Sequence, residues 1–421
     1  MAKFSLPTCT PQFATANCTA CRLNKDSKLQ LAGEGKRKLL VILEYQDAIQ
    51  QATKTYMRGE RYAYIRDVLA QYGLTPADYW ITSAIQCYAN EPTVARAVHC
   101  KPNIVSLIKT LQPSFVLGFG QATASAMLQD AIADGGGTDL DRVHGFVHPD
   151  RVLGCRMLFT YNPHPSTYTR NSIEDNIIRR DIHIAMREFS KPAVTYRDEL
   201  ECVRILTPSE AVSELTARIA DKTERVVALD YETNALKPYN SDSKLLSCAI
   251  SEDENDSFAF MLTDETIPLL RDYWRTPHIT KVAHNSAFER VWTMVKLGVT
   301  PYKLLHDTML LAHGLDNREG RWLSIKFLAP MLTGCAIWNK HIEMFLESTA
   351  AAKAQRGEYS LNRIHEIPVR QLLTYNAVDS LVELRVFHIL IQYLREYYDT
   401  FPSDTSIQET QWSSYTTEMK M

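Results

Sequence analysis

The sequence has no hydrophobic run long enough to cross a membrane, and its first residues, MAKFSLPTCTPQF, lack an apolar stretch of signal-peptide length. Internal repeats and low-complexity tracts are also absent. The lack of a long apolar run excludes a membrane-spanning chain, and the lack of a signal-peptide stretch predicts a cytoplasmic protein. With 421 residues, 45% of them hydrophobic, the chain is expected to form two or three globular domains.

Cysteine is present but does not fit a disulfide framework. The chain has nine cysteines, an odd number, and disulfides are rare in a reducing compartment. The cysteines are therefore expected to be metal ligands or core residues.

The chain also lacks a strong charge of either sign, since its formal net charge is -3. Residues 1–190 contain 21 Lys and Arg against 17 Asp and Glu, whereas the remainder contains 25 against 32. The first part is thus mildly basic and the second acidic. An acidic part can still act on a polyanion if its acids bind divalent metals, because the ions reverse the local field. The alternative is an ordinary acidic surface.

Strands and helices are predicted to alternate in two parts, which indicates an α/β fold class. The polar segment SKPAVTYRDELEC at 190–202 predicts the boundary between them. Buried strands are predicted in the first part at KLLVIL, YWITSAI, SFVLGFG and RMLFTY. In the second part, ERVVALDYE, KLLSCAIS and SFAFML predict a three-strand meander, and ITKVAH predicts a further strand.

Acidic residues at the ends of predicted elements are the strongest functional signal in the second part. Asp230 and Glu232 occupy positions i and i+2 of a strand, so both side chains leave the same face. Later acids of the same kind are Glu289, Asp307 and Asp379. Oxygen ligands in this number predict a site for two divalent cations, Mg²⁺ or Mn²⁺.

The segment AHNSAFE, residues 283–289, places Asn285 four residues before Glu289. A helix that begins at the Asn would bring both residues onto one face, toward a point beyond the preceding strand. The alternative is that Asn285 is a helix N-cap and Glu289 is a solvated acid of the first turn.

These spacings resemble the three motifs of the DnaQ-like 3'-5' exonucleases, in the form attached to family A DNA polymerases. The resemblance covers residues 203–395 and implies an RNase H-like domain. Its motifs correspond to Asp230 with Glu232, Asn285 with Glu289, and Tyr375 with Asp379.

The resemblance also implies a role for each motif residue. Asp230, Glu232 and Asp379 would bind the metal that activates the attacking water, and Asp230 would bridge to a second metal. Tyr375 would orient the water. The family usually has Asp at the position of Glu289, whose longer side chain can still reach a metal or a metal-bound water. Asn285 would cap its helix and steady the site.

A second group of residues lies in the first part. Cys18 and Cys21 form a C-x2-C pair, and Cys87 and Cys100 follow far along the chain. Four thiolates of this kind suit a [4Fe-4S] cluster or a structural zinc, and the alternative is a set of unrelated core cysteines.

Residues 9–190 resemble the iron-sulfur (family 4-like) uracil-DNA glycosylases. The cysteine pair is followed in order by TSAIQC at 82–87, LGFGQA at 117–122 and HPSTYTR at 164–170. This resemblance favours iron-sulfur over zinc.

Two departures from the glycosylase pattern argue against uracil excision. LEYQDA stands where the family has a GEAPG-like loop, and Ser83 stands where it has the Asn that reads uracil. His164 is retained. This part is therefore predicted to be a DNA-binding platform, with contacts from His164, Ser166 and Arg170, and with further DNA contacts from Asn285 and Asp307 in the second part.

The predicted chain is a glycosylase-like α/β domain with a four-cysteine cluster site (residues 1–192), an RNase H-like exonuclease domain (203–398) and a tail (399–421). Its predicted role is proofreading or trimming of 3' DNA ends in a phage-like replication system. A polymerase domain would need several hundred more residues, so the polymerase is expected on another chain. The alternatives are a dual-function repair enzyme that retains base excision, and a non-catalytic subunit that binds DNA.

Overall fold

A computed structural model describes residues 18–21, 29, 31–88, 92–129, 138–164, 172–316, 318 and 321–399. The chain divides into two compact units between Ala193 and Val194. This division falls inside the segment 190–202, where the sequence predicts a boundary. Residues up to Ala193 are called unit 1, and residues from Val194 are called unit 2.

Unit 1 has an α/β architecture. Its described strands are β1 Leu39–Tyr45, β2 Tyr79–Ile85, β3 Phe115–Phe119, β4 Val147–Asp150 and β5 Cys155–Thr160. Its described helices are α1 Cys18–Cys21, α2 Ala48–Thr53, α3 Glu60–Ala70, α4 Val94–Leu111, α5 Gln121–Leu128, α6 Leu140–Val143 and α7 Ile173–Phe189.

The sheet of unit 1 has the strand order β2-β1-β3-β5-β4. Its first four strands are parallel, and β4 pairs antiparallel with β5. The parallel strands are buried along nearly their whole length, which is typical of strands covered on both faces. The chain connections change direction between β1 and β3, and the carboxyl ends of two such strands usually border a ligand crevice.

Unit 2 contains a second sheet. Its described strands are β6 Val203–Ile205, β7 Arg225–Thr233, β8 Leu245–Asp253, β9 Asp256–Met261, β10 Ile279–Ala283 and β11 Leu304–Asp307. Its described α-helices are α8 Pro208–Ala220, α9 Thr266–Arg275, α10 Ala287–Trp292, α11 Thr308–Leu315, α12 Ile325–Thr333, α13 Glu343–Leu346, α14 Ala350–Arg356 and α15 Val369–Asp399.

The strand order in this sheet is β11-β10-β7-β8-β9-β6. Strands β7, β8 and β9 form the antiparallel meander that the sequence predicts. β10 runs parallel to both β7 and β11, and β6 runs parallel to β9. Asp230 and the end of β10 therefore lie on neighbouring strands.

The two faces of this sheet are packed differently. On one face, Tyr231 and Cys248 join a core with α8 and α9 that includes Trp274. On the other face, Ala249 and Ala259 pack against α15. Asp230 pairs with Ala249, and Ala249 pairs with Ala259, so the three residues form one row across the sheet. Because the two alanines are small, α15 can approach this face closely beside Asp230.

Arg385 anchors α15 from inside unit 2. Its side chain is fully buried and forms an ion pair with Glu199. Its Nε donates to the Glu254 carbonyl oxygen at 2.8 Å, and its Nη2 donates to the Arg197 carbonyl oxygen at 3.2 Å. The guanidinium also lies over the Tyr196 ring, with Cζ 4.7 Å from the centroid. One side chain thus connects the first segment of unit 2, the β8–β9 turn and α15.

None of the described helices is both long enough and apolar enough to cross a membrane.

Candidate active site

Strand β7 presents Asp230 and Glu232 on the face that α15 covers. Side chains alternate along a strand, so Tyr231 points to the opposite face. There the Tyr231 hydroxyl hydrogen bonds with the Thr293 hydroxyl at 3.0 Å and accepts the indole N–H of Trp274. Burial of Tyr231 therefore fixes the orientation of the two acids.

The Asp230 carboxylate is held by an amide from α15. Asn376 Nδ2 donates to Asp230 Oδ2 at 2.6 Å, and Asn376 Oδ1 accepts from the Ser247 hydroxyl of β8 at 2.8 Å. Both Asn376 and Ser247 are fully buried. Because Ser247 fixes which end of the amide faces Asp230, the Asp230 carboxylate has one defined orientation.

Asp379 comes from α15, one turn after Tyr375. Its Oδ1 accepts the indole N–H of Trp338 at 2.6 Å and forms an ion pair with Lys326. Tyr375 is buried and hydrogen bonds with Asp379, and burial, followed by the nearby charge of Asp379, raises the pKa of its phenol. Tyr375 and Asp379 thus lie on one face of α15, with their polar side-chain atoms in contact.

Asp230, Glu232 and Asp379 converge. Each offers one carboxylate oxygen, and these three oxygens lie within 4.8 Å of one another. Burial raises the pKa of Asp230, and Asp379 raises it further; burial and then Asp230 raise the pKa of Glu232. Carboxylates this close, two of them buried and Asp230 half-buried, repel one another unless a cation lies between them. An all-oxygen donor set of this kind fits Mg²⁺ or Mn²⁺.

Glu289 lies beside this trio but is not part of it. The residue is only 3% exposed, and its Oε2 has no hydrogen-bond partner among the described residues. Burial, then the charge of Asp230, raises the pKa of its carboxyl. Glu289 is therefore not a solvated acid, and its unpaired oxygen is available to a cation or a bound water.

Asn285 does not cap the helix that follows it. Helix α10 begins at Ala287 with Ser286 as N-cap, and no side chain caps its amides. Asn285 instead has the left-handed φ of +64°, which Asn tolerates better than most residues. This conformation turns the chain sharply between β10 and α10.

Asp307 stabilises that turn from the neighbouring strand. Its Oδ1 accepts the Asn285 amide at 3.1 Å, and its Oδ2 accepts the Ser286 amide at 2.7 Å. Its Oδ1 also accepts the amides of Met309 and Leu310, so Asp307 is the N-cap of α11. A buried carboxylate with four amide donors has a structural role, which differs from the DNA contact expected for it.

Residues 203–395 match a family model described as 3'-5' exonuclease. This region is a DnaQ-like 3'-5' exonuclease domain. The protein is therefore a phosphodiester hydrolase, as the sequence motifs predict. A search of the curated proteins found no match to the chain.

Solved structures similar to the chain include NrnC of Brucella melitensis with bound Mg²⁺. It is 18% identical, and the match covers 54% of this chain and 92% of that one with a TM-score of 0.35. The catalytic core of RRP6 from Trypanosoma brucei is 17% identical over 59% of this chain and 60% of that one, with a TM-score of 0.32. The POL domain of Pol1 from M. smegmatis is 16% identical over 46% of this chain and 28% of that one, with a TM-score of 0.30.

Four further residues of the exonuclease domain lie close to the carboxylates of the site, and the sequence motifs do not identify them. They are Lys326, Trp338, Asn376 and Glu383. Glu383 is 3% exposed, its carboxylate accepts the His284 amide, and its Oε2 has no partner among the described residues. Burial and the charges of Asp230 and Glu289 raise its pKa. The spacing of four residues between Asp379 and Glu383 was a signal for this residue.

The predicted cluster cysteines lie on neighbouring elements of unit 1. Cys18 and Cys21 are the ends of α1, which packs against α4, the helix that contains Cys100. Cys87 follows β2, which also packs against α4. Cys87 and Cys100 are both buried. Both lie near Tyr56: burial is the main cause of the raised pKa of the Tyr56 phenol, and the two thiols raise it further.

Ser83 lies in the same region and is fully buried. Its hydroxyl hydrogen bonds with the Tyr56 hydroxyl at 2.9 Å and donates to the Ile85 carbonyl oxygen at 2.7 Å. These two bonds hold Ser83 within unit 1. The side chain at this position therefore contributes to the packing of β2.

His164 lies beyond the end of β5 and is exposed. Burial raises the pKa of Glu44 in β1, and the charge of the nearby His164 acts in the opposite direction. Glu44 Oε1 accepts a hydrogen bond from the Ala122 amide of α5 at 2.8 Å. His164 is thus near Glu44, which lies toward the carboxyl end of β1. Ser166 and Arg170 lie outside the described residues.

The position of Glu289 leads to a testable expectation. Glu289→Gln should lower the exonuclease rate roughly 10- to 100-fold, the range for groups that support a metal site, because the amide cannot replace the unpaired carboxylate oxygen. Glu289→Asp should keep the activity or exceed it, since Asp is the usual residue of the family. The rates are compared on one 5'-labelled oligonucleotide, with the exposed Glu265→Gln as control. Full activity of Glu289→Gln would assign Glu289 to packing alone.

Proposed function

We propose that the protein removes nucleotides from the 3' ends of DNA, as a proofreading or trimming exonuclease that uses two Mg²⁺ or Mn²⁺ ions. The observation that carries the proposal is the convergence of three carboxylate oxygens within 4.8 Å in a 3'-5' exonuclease domain. Asp230, Glu232 and Asp379 would bind the ions, and Glu289 would support the second ion through its unpaired oxygen.

Bound at these carboxylates, divalent ions would stabilise the attacking and departing oxygens of the phosphodiester. The protein itself positions the reacting groups. Asn376 holds the Asp230 carboxylate in one orientation, and Trp338 does the same for Asp379. Tyr375 would orient the attacking water: its phenol proton is directed to the Asp379 carboxylate, so its hydroxyl oxygen can accept a hydrogen bond from the water.

The proposal is tested by incubating purified protein and Mg²⁺ with three 5'-labelled substrates: single-stranded DNA, a mismatched primer-template and single-stranded RNA. We expect DNA to be shortened stepwise from its 3' end, with loss of activity after chelation of the metal. Faster degradation of RNA would make the protein a ribonuclease. Inactivity on all three substrates with every metal would favour a non-catalytic DNA-binding subunit.

We further propose that unit 1 is a degenerate glycosylase-like domain that binds DNA and contains a [4Fe-4S] cluster. The packing of α1 against α4, and the burial of Cys87 and Cys100 near Tyr56, support a shared site for the four predicted cysteines. Structural zinc at the same thiolates is the alternative. DNA contacts are proposed for His164, Ser166 and Arg170.

The cluster proposal predicts that protein purified without oxygen is brown and contains four iron atoms per chain. Cys87→Ser should bleach it and destabilise unit 1, because binding of such a site is coupled to folding. Cys155→Ser is the matched control, since Cys155 is a buried cysteine of unit 1 outside the predicted set. A colourless protein with stoichiometric zinc would contradict the iron assignment and keep the four-cysteine site.

The partner that we propose is a separate family A polymerase chain, in a phage-like replication system. Tethering an exonuclease beside a polymerase raises the effective concentration of the primer end to about the millimolar range. We propose that the tail contributes to this association, and residues 400–421 of it lie outside the described residues. Truncation after Tyr398 should weaken co-purification with the polymerase and leave nuclease activity on free ends unchanged. Absence of a complex at micromolar concentration would favour a stand-alone trimming nuclease.

A retained base-excision activity is a second candidate, favoured by one observation in unit 1. Gln46 and Asn162 follow β1 and β5 and are buried, and among the described residues Gln46 Oε1 and both polar side-chain atoms of Asn162 have no partner. Unpaired buried amides suit a planar ligand with hydrogen-bonding edges. Release of a free base from damaged DNA by the Asp230→Asn variant would support this activity, and absence of release would remove it.

A further inference from the structure

Lys326 is a basic residue on a helix that otherwise belongs to the core. Helix α12 packs against α15, and its residues from Phe327 to Thr333 are buried. The Lys326 side chain is 20% exposed, and its ammonium forms an ion pair with the Asp379 carboxylate. A core helix thus delivers one positive charge to an acid of the active site.

Two aromatic rings define the position of that charge. Lys326 Nζ lies 4.4 Å from the centroid of the Trp338 ring and 4.5 Å from that of the Tyr375 ring. Both distances are within the range of cation–π attraction, which is stronger where water is excluded. The ammonium is therefore held by two rings and a carboxylate, unlike that of a freely rotating surface lysine.

The Lys326 ammonium lies next to carboxylates whose mutual repulsion a positive charge can reduce. Asp379 Oδ1 accepts both the Lys326 ammonium and the Trp338 indole N–H. Asp379 also supplies one of the three converging oxygens, and the charge of Lys326 acts on both Asp230 and Glu232. Since an ammonium and a divalent ion both require the Asp379 carboxylate, they compete for it.

We propose that Lys326 is the internal counter-cation of the acid cluster: it binds Asp379 in the metal-free protein, and a divalent ion must displace it. The ammonium lowers the repulsion among the three carboxylates before a metal binds, and its displacement reduces the net metal affinity. The second half of this inference, displacement of Lys326 by a divalent ion, rests on the proposed metal-dependent function. The first half, the binding of Lys326 to Asp379, concerns the metal-free protein.

Lys326→Met tests both halves, because Met keeps most of the unbranched side chain and removes the charge. In chelator-treated full-length protein, we expect the variant to melt roughly 2–4 °C below the wild type, the shift for about 1 kcal/mol in a unit of this size. We expect its dissociation constant for Mg²⁺, measured by calorimetry, to be about tenfold lower than that of the wild type, because the ion no longer has to displace an ammonium at a cost of about 1.4 kcal/mol. The Mg²⁺-induced rise in melting temperature should be larger in the variant.

Two controls separate the charge from its side effects. Lys326→Arg keeps a positive charge and should resemble the wild type more than Lys326→Met does. Lys222→Met removes one positive charge at an exposed site and should change neither value.

The possible outcomes differ clearly. Weaker or unchanged Mg²⁺ binding by Lys326→Met would overturn the competition. An unchanged melting temperature of the metal-free variant would overturn the role as counter-cation. If the wild type binds no divalent ion, the proposed metal-dependent function fails, whereas the melting temperatures without metal still decide the first half.

Discussion

Asp230→Asn is expected to reduce the exonuclease rate roughly 10³-fold, because metal ions contribute several kcal/mol to catalysis and each 1.4 kcal/mol is about tenfold. Asp230 is one of the acids that would hold the ions, and Asn has nearly the same shape but no charge. The Asn376 amide that donates to Asp230 Oδ2 can still meet an amide oxygen there. The loss is therefore expected from metal binding rather than from packing.

The measurement is the initial rate of shortening of 5'-labelled DNA with Mg²⁺, together with DNA affinity and melting temperature. Asp264→Asn, at an exposed position between β9 and α9, is the matched control and should retain full activity. DNA affinity of Asp230→Asn should remain close to that of the wild type. Undiminished degradation by Asp230→Asn would contradict the assignment of the site.

Arg385→Met is expected to destabilise unit 2 by about 3–5 kcal/mol, the cost of breaking a buried ion pair by removing one partner. The change leaves the Glu199 carboxylate buried without its cation and leaves the carbonyl oxygens of Glu254 and Arg197 without this donor. The free energy of unfolding is measured by urea denaturation, with hydrogen exchange of the α15 amides to follow unit 2.

A surface arginine of the same unit provides the comparison. Arg204 forms ion pairs with Asp256 and Glu214, but its side chain is 41% exposed. Arg204→Met should therefore cost no more than about 1 kcal/mol, as for most exposed pairs. Equal effects of the two substitutions would mean that Arg385 does not anchor α15.

The sequence predicts the acids of β7 and α15 well because their geometry is local. Side chains at i and i+2 of a strand share a face, and so do side chains at i and i+4 of a helix. Asp230, Glu232 and Asp379 could therefore be identified as one site once the exonuclease motifs were recognised. Glu383 follows the same rule, one turn beyond Asp379.

The turn at Asn285 was predicted less well because a distant residue controls it. The pattern of Asn followed by an acid is typical of a capped helix start. In the structure, however, the Asp307 carboxylate binds the amides of Asn285 and Ser286 from a neighbouring strand. Pairing of β10 with β11 brings Asp307 there, and no local spacing in the sequence indicates that pairing.

Lys326 and Trp338 were not predictable for a related reason. They are separated from Asp379 by 53 and 41 positions, and only the packing of α12 and the following segment against α15 brings them together. A lysine in the apolar run SIKFLAPML was the one local signal. Such a lysine is as compatible with a helix edge as with an active site.

The hydrogen bond from Trp338 to Asp379 also places an intrinsic fluorophore at the active site. Indole emission responds to the polarity and charge around the ring, and the Trp338 ring lies beside both the Lys326 ammonium and a carboxylate of the active site. Any change in what Asp379 binds therefore changes the surroundings of this chromophore. Because the chain has six tryptophans, the difference in emission between the wild type and Trp338→Phe isolates this ring, and that difference can follow occupancy of the site without a label on the protein or the nucleic acid.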